Sequence, residues 1–169
     1  MMKVIAALCM LIDHIGLIFY PLDLRWRIIG RLAMPIFAYG VARGAFYTSS
    51  IKRYMKKMLL FSVASQIPFW GMRYLDGGQA FFTLNLNIGF TFWIALWCIA
   101  YLQKIGYKPQ LEEKEEMLEV ARQSTVETNK KVCTIVVVLA SILLADVLGC
   151  DYSSYGVLVV IMGYFMFLL

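Results

Sequence analysis

His14 is the only histidine in the chain, and it follows Asp13 in the middle of the apolar run MMKVIAALCMLIDHIGLIFYP. Imidazole is the side chain best suited to move a proton near neutral pH, and it can also carry an acyl group as a nucleophile. An ionisable pair inside such a run costs insertion energy in a membrane, so function is its default explanation. Burial favours the neutral, basic imidazole, whereas a nearby carboxylate favours the imidazolium. Neighbouring residues diverge by about 100° on a helix, so the sequence leaves two partners open for Asp13: His14 itself, or Arg31 from the next run.

Further polar residues recur inside apolar runs. Arg27 and Arg31 stand one helical turn apart, and their planar guanidinium forks suit carboxylates and other anions. Gln66 lies in SQIPFW, Asn85 and Asn87 in TLNLNIG, Asp146 near the end of a run, and Asp151 opens DYSSYG. At about 1.5 Å per residue, His14 is roughly 16 Å beyond Lys3 and Gln66 roughly 14 Å into its run. Both depths are near the middle of a hydrocarbon layer about 30 Å thick, and Arg31 is roughly 8 Å below its outer surface. Convergence at one depth predicts a shared, water-accessible cavity. On the opposite side Arg43, Lys52, Arg53, Lys56 and Lys57 form a basic rim.

The elements that must position these residues follow from composition. Of 169 residues, 61% are hydrophobic, and the mean hydropathy is +0.70. Several runs approach the length that crosses a bilayer as helix, and strict alternation is missing, so the expected fold is all-α, a polytopic integral membrane bundle rather than a barrel. Six spans are expected at about 4–20, 26–46, 57–75, 80–103, 132–149 and 152–169, with Pro68 kinking the third. The first run reads as a retained helix rather than a cleaved leader. The chain forms one domain over 1–169, with a charged loop at about 105–131 facing the cytoplasm.

Twelve of the sixteen basic residues fall on one side if the N-terminus is cytoplasmic, so both termini are expected inside. The net charge of +5 follows from that collar, and no nucleic-acid partner is expected. The four cysteines lack metal or redox spacing, so no metal is expected. Gly40 and Gly44 give a small-xxx-small face on which a second copy could pack into a homo-oligomer.

The elements LIDHIGLIF, RIIGRLAMPIFAYGVARGAFYTSSIKRYMKKMLLFSVASQIPF, FTLNLNIGFT and DYSSYGVL, in that order, resemble the TraX family of membrane proteins. That family is associated with N-terminal acetylation of pilin and looks related to transmembrane acyltransferases with a membrane-embedded histidine. The resemblance implies that Asp13 and His14 match the family's Asp-His pair in the first helix and Arg31 the arginine of its Gly-Arg element. It also implies acetyl-CoA as acyl donor, drawn from the cytosol, and a peptide or glycan acceptor. Many relatives carry further helices than this chain.

The expected activity is therefore transfer of an acetyl group to an amine or hydroxyl by a multi-pass protein of the bacterial cytoplasmic membrane, in contact with its lipids. The basic rim would bind the anionic nucleotide of the acyl-CoA. His14 would either deprotonate the acceptor or carry the acyl group covalently. Two other classes fit the same residues: a proton-coupled transporter with Asp13-His14 as relay, and a non-catalytic membrane scaffold.

Overall fold

Pro35 divides the second apolar run. In a continuous helix its ring would crowd the carbonyl of Arg31 and it has no N–H to offer, so a helix through it is disfavoured whereas one that begins just before it is not. The computed structural model describes residues 2–20, 22–75, 85–107 and 123–169. Its helices are α1 (Met2–Phe19), α2 (Leu24–Arg31), α3 (Ala33–Tyr47), α4 (Ile51–Leu75), α5 (Ile88–Ile105), α6 (Gln123–Val147) and α7 (Ser153–Leu168). The expected span 26–46 is thus two helices that meet at Leu32, whose N–H bonds back to Ile29 and Gly30. By contrast α4 runs helical through Pro68.

The all-helical expectation holds for the described residues. The expected span 80–103 begins later, at Ile88, because Asn87 caps α5: its side chain accepts from the Gly89 N–H. Residues 85–87 are therefore extended rather than helical, and Leu86 forms an isolated parallel bridge with Cys150. Residues 80–84 of that span, and 108–122 of the expected loop, lie outside the described residues. The remainder of the loop from Gln123 onward belongs to α6. Among the described residues α5 is the one helix long and apolar enough to cross a membrane by length and composition; Val4–Gly16 and α7 are apolar but shorter.

The core forms where α3, α5 and α7 meet, with α4 and α6 packed against α5. Small residues let the helices approach closely. Ala38, Ala42 and Ala45 of α3 are fully buried, and a side chain on Gly163 of α7 would press against Ala42. A Cβ on Gly89 would meet the Ser62 backbone, which sets α4 against α5. At the end of this core, Tyr164 donates to the Tyr107 carbonyl (2.9 Å) and accepts from Gln103 (3.0 Å). The pair α1–α2 sits apart from α5 and reaches the core through α3.

Candidate functional site

Two glycines decide how α1 meets α2. A Cβ on Gly16 would overlap the Trp26 side chain, and one on Gly30 would overlap Asp13. The turn between the helices is closed by Tyr20 stacked on Trp26 (centroids 5.3 Å apart) and by Asp23, which accepts from the Arg25 N–H. Asp13 therefore faces the backbone of α2 at Gly30. Arg31, the next residue, points about 100° away on the helix and is exposed. No ion pair joins Asp13 to either Arg31 or His14, so neither partner open to Asp13 in the sequence is realised. Arg27 lies one turn earlier on α2.

His14 turns away from that interface and is half-buried. Its Nδ1 lies 2.6 Å from the Met10 carbonyl. A carbonyl only accepts, so Nδ1 is the donor, and in the neutral tautomer that this bond selects Nε2 is the nitrogen without a proton. The intrahelical bond from one turn earlier thus selects the tautomer without a carboxylate partner.

The other expected cavity residues form a separate structure. Gln66 is only 5% exposed; its Nε2 donates to the Asn85 carbonyl and its Oε1 accepts from the Asn87 N–H, both at 2.9 Å. Asn87 is equally buried and donates to the Ser62 carbonyl (2.8 Å) and Ser65 Oγ (3.2 Å). On the far side, the Leu86 N–H donates to the Gly149 carbonyl and the Asp151 N–H donates to the Leu86 carbonyl. Thr91 donates to the Asp151 carbonyl, and the Asp146 carboxylate accepts from the Ser154 N–H in the first turn of α7. Gln66, Asn85, Asn87, Asp146 and Asp151 thus contribute to one joint between α4, α5, α6 and α7. Buried amides and carbonyls without partners are costly, so these polar groups serve each other.

Within that joint Cys150 is buried, and its thiol is pushed up to about 11 by burial and by the Asp146 and Asp151 carboxylates. α1 packs on α2 and α3 rather than on α4 or α5. The single shared cavity expected from depth is replaced by two polar groups on different helix sets: His14 with α1–α2, and the amide joint.

The basic rim is also divided. Thr48, Ser49, Ser50, Arg53, Tyr54 and Lys57 line a polar cavity of about 220 Å³ at the start of α4. Ser50 accepts from the Arg53 N–H there. Arg43 instead lines a neighbouring groove of about 840 Å³, and Tyr54 borders both. Lys52 and Lys56, one residue before Arg53 and Lys57, are exposed and line neither. The hydroxyls of Thr48, Ser49 and Ser50 are the site feature that charge counting alone passes over. Their signal is the run TSS directly before a basic helix, a pattern that caps a helix start. His14 lines neither cavity.

The TraX protein family matches residues 1–168, nearly the whole chain. The chain belongs to the TraX family. This TraX chain is 32% identical over 105 residues to a protein of Dichelobacter nodosus named "Probable fimbrial assembly protein FimC, serogroup H1", covering 56% of the chain and 42% of that protein. It is 51% identical over 39 residues to an uncharacterised protein of Rickettsia prowazekii, covering 23% of the chain and 16% of that relative. The chain thus matches less than half the length of either curated relative. No solved structure matches it. The resemblance carried by the Asp-His, Gly-Arg and SQIPF elements is borne out at the level of family.

Proposed function

We propose that this TraX chain is a membrane-bound acyltransferase that moves an acetyl group from cytosolic acetyl-CoA to an amine or hydroxyl of an acceptor. The relative named for fimbrial assembly favours a pilin-like peptide over a glycan as that acceptor. The observation that carries the reading is His14: it is the chain's one histidine, and its Nδ1 donates to the Met10 carbonyl, which leaves Nε2 as the nitrogen that can serve as base.

In this reading both termini face the cytoplasm, α2 and α3 together make the second crossing, and the basic rim lies on the cytoplasmic side. Arg53 and Lys57, with the hydroxyls of Thr48 to Ser50, bind the phosphates of the nucleotide, and Lys52 and Lys56 raise the local positive potential. The pantetheine arm extends from there toward His14, which α1 carries about 15 Å beyond Val4. Nε2 takes the proton of the acceptor as its nitrogen or oxygen attacks the thioester carbonyl. The new amide or ester bond forms as the C–S bond breaks, and the imidazolium returns the proton to the CoA thiolate. Asp13 acts by holding α1 against Gly30 of α2, and Arg31 presents positive charge where the acceptor arrives.

The test is transfer of labelled acetyl from acetyl-CoA to a pilin-type peptide in membranes carrying the chain. His14→Gln lowers the rate by about 10²–10⁴-fold, the contribution of a positioned general base, while acetyl-CoA binding persists. Transfer at the wild-type rate by this variant would remove His14 from the mechanism. Proton-dependent uptake by proteoliposomes without acyl-CoA consumption would replace the enzyme by a transporter.

A further inference from the structure

The groove that takes Arg43 away from the rest of the basic rim has two chemically different ends. Along α3 its wall is Ile36, Phe37, Gly40 and Val41, and across from them stand Met2 and Val4 of α1. Apart from the hydroxyl of Tyr39, which also lines the groove, these side chains offer no hydrogen bonds, so an amide-bearing or sugar-bearing ligand would lose most of those it made to water, whereas a hydrocarbon chain would lose none. The end bordered by Arg43, Tyr47 and Tyr54 is polar. The Arg43 guanidinium lies over the Tyr47 ring, 5.8 Å from its centroid. Stacking of this kind orients the fork while leaving its N–H groups available to an anion. Gly40 keeps the apolar part open: a Cβ added there meets nothing within 4 Å. Its partner in the small-residue pair, Gly44, is instead closed off by the Tyr54 hydroxyl.

We propose that this groove is a binding site for one anionic phospholipid, with a hydrocarbon chain along α3 at Gly40 and the phosphate on Arg43. The site goes beyond the acyl-transfer reading and does not rest on it, since Arg53 and Lys57 line the other cavity. A cationic end and an apolar body in one groove of about 840 Å³ match an anionic headgroup joined to a hydrocarbon chain. A zwitterionic lipid of the same chain length would fill the apolar part with its headgroup charge already balanced.

The experiment uses the full chain purified in a neutral detergent and native mass spectrometry. Its probes are phosphatidylglycerol, phosphatidylcholine with the same chains, and palmitoyl-CoA. The wild-type chain retains one phosphatidylglycerol, at least about tenfold in preference to phosphatidylcholine. Gly40→Phe, which places a ring in the open space, lowers that retention about tenfold or more, whereas Gly40→Ala keeps it. Arg43→Gln leaves the groove open and brings the two phospholipids to equal retention, and this arm decides the matter if Gly40→Phe fails to fold. Equal retention of both lipids by the wild type, wild-type retention by Gly40→Phe, or palmitoyl-CoA displacing phosphatidylglycerol would overturn the proposal.

Discussion

Replacing Gln66 by leucine keeps a side chain of similar bulk and removes both ends of the amide. The carbonyl of Asn85 and the N–H of Asn87 each lose a bond of 2.9 Å at a site where Gln66 is 5% exposed. A buried backbone group that loses its bond costs about 1–3 kcal/mol and the half-buried Asn85 carbonyl less, so the two together cost about 3 kcal/mol. At about 1.4 kcal/mol per decade, local opening of residues 85–87 becomes roughly a hundredfold more frequent. The chain supplies its own reporter. Leu86, between the two bonds, also holds Gly149 and Asp151 through its backbone, and Cys150 lies buried between them. Opening of 85–87 frees that thiol. Cys98, fully buried within α5, is exposed only by wider unfolding and serves as the internal control. The assay is alkylation by a small maleimide in detergent micelles, quantified at each cysteine by peptide mass spectrometry. Gln66→Leu raises the rate at Cys150 by about a hundredfold with little change at Cys98. A wild-type rate at Cys150, or equal acceleration at both thiols, would refute the idea that the Gln66 amide locally locks this joint.

Further outcomes concern the Cys150 thiol and three substitutions. The Cys150 thiol is pushed from its ordinary 9.0 to about 11, so its native alkylation rate continues to climb above the pH where a free thiol levels off. The unfolded chain releases that proton at lower pH, so raising the pH from about 9 to about 11 favours unfolding; chemical denaturation across that range measures the loss. Gly30→Ala drives a methyl into the Asp13 side chain and lowers stability by about 1–3 kcal/mol in thermal unfolding. Gly71→Ala, where a Cβ meets nothing within 4 Å, is neutral or stabilising by up to about 1 kcal/mol. Tyr164→Phe removes a hydroxyl that makes two hydrogen bonds and costs about 1–3 kcal/mol by the same measurement.

Helix type was legible in the sequence because apolar runs without alternation leave the backbone few other ways to satisfy its hydrogen bonds. Ends were legible only where a residue carries its own stop. Pro35 is such a residue, although a continuous apolar run masks it, and the Asn87 cap is another, hidden by its apolar neighbours. The TraX elements were legible as ordered motifs, and the family match over residues 1–168 agrees with them. Depth along a helix was no guide to company. Gln66 and His14 were placed at similar depth, and the structure puts them on helices that do not pack against each other.

What the sequence by itself determined is an all-helical chain of the TraX family with one imidazole set in an apolar helix beside an aspartate. Even the His14 tautomer is nearly local, since Met10 is one turn away in the same helix. What only the tertiary structure decided is which polar groups meet. Gln66 bonds to a residue 19 positions away and Thr91 to one 60 away. Such pairings depend on the rotation and register of whole helices, set by small residues such as Gly30, Gly89 and Ala42 at their crossings. Those packing choices sum over many residues at once. No local run of sequence encodes them, and so the amide joint, the isolation of His14 from it and the separation of Arg43 from Arg53 emerge only in the folded chain.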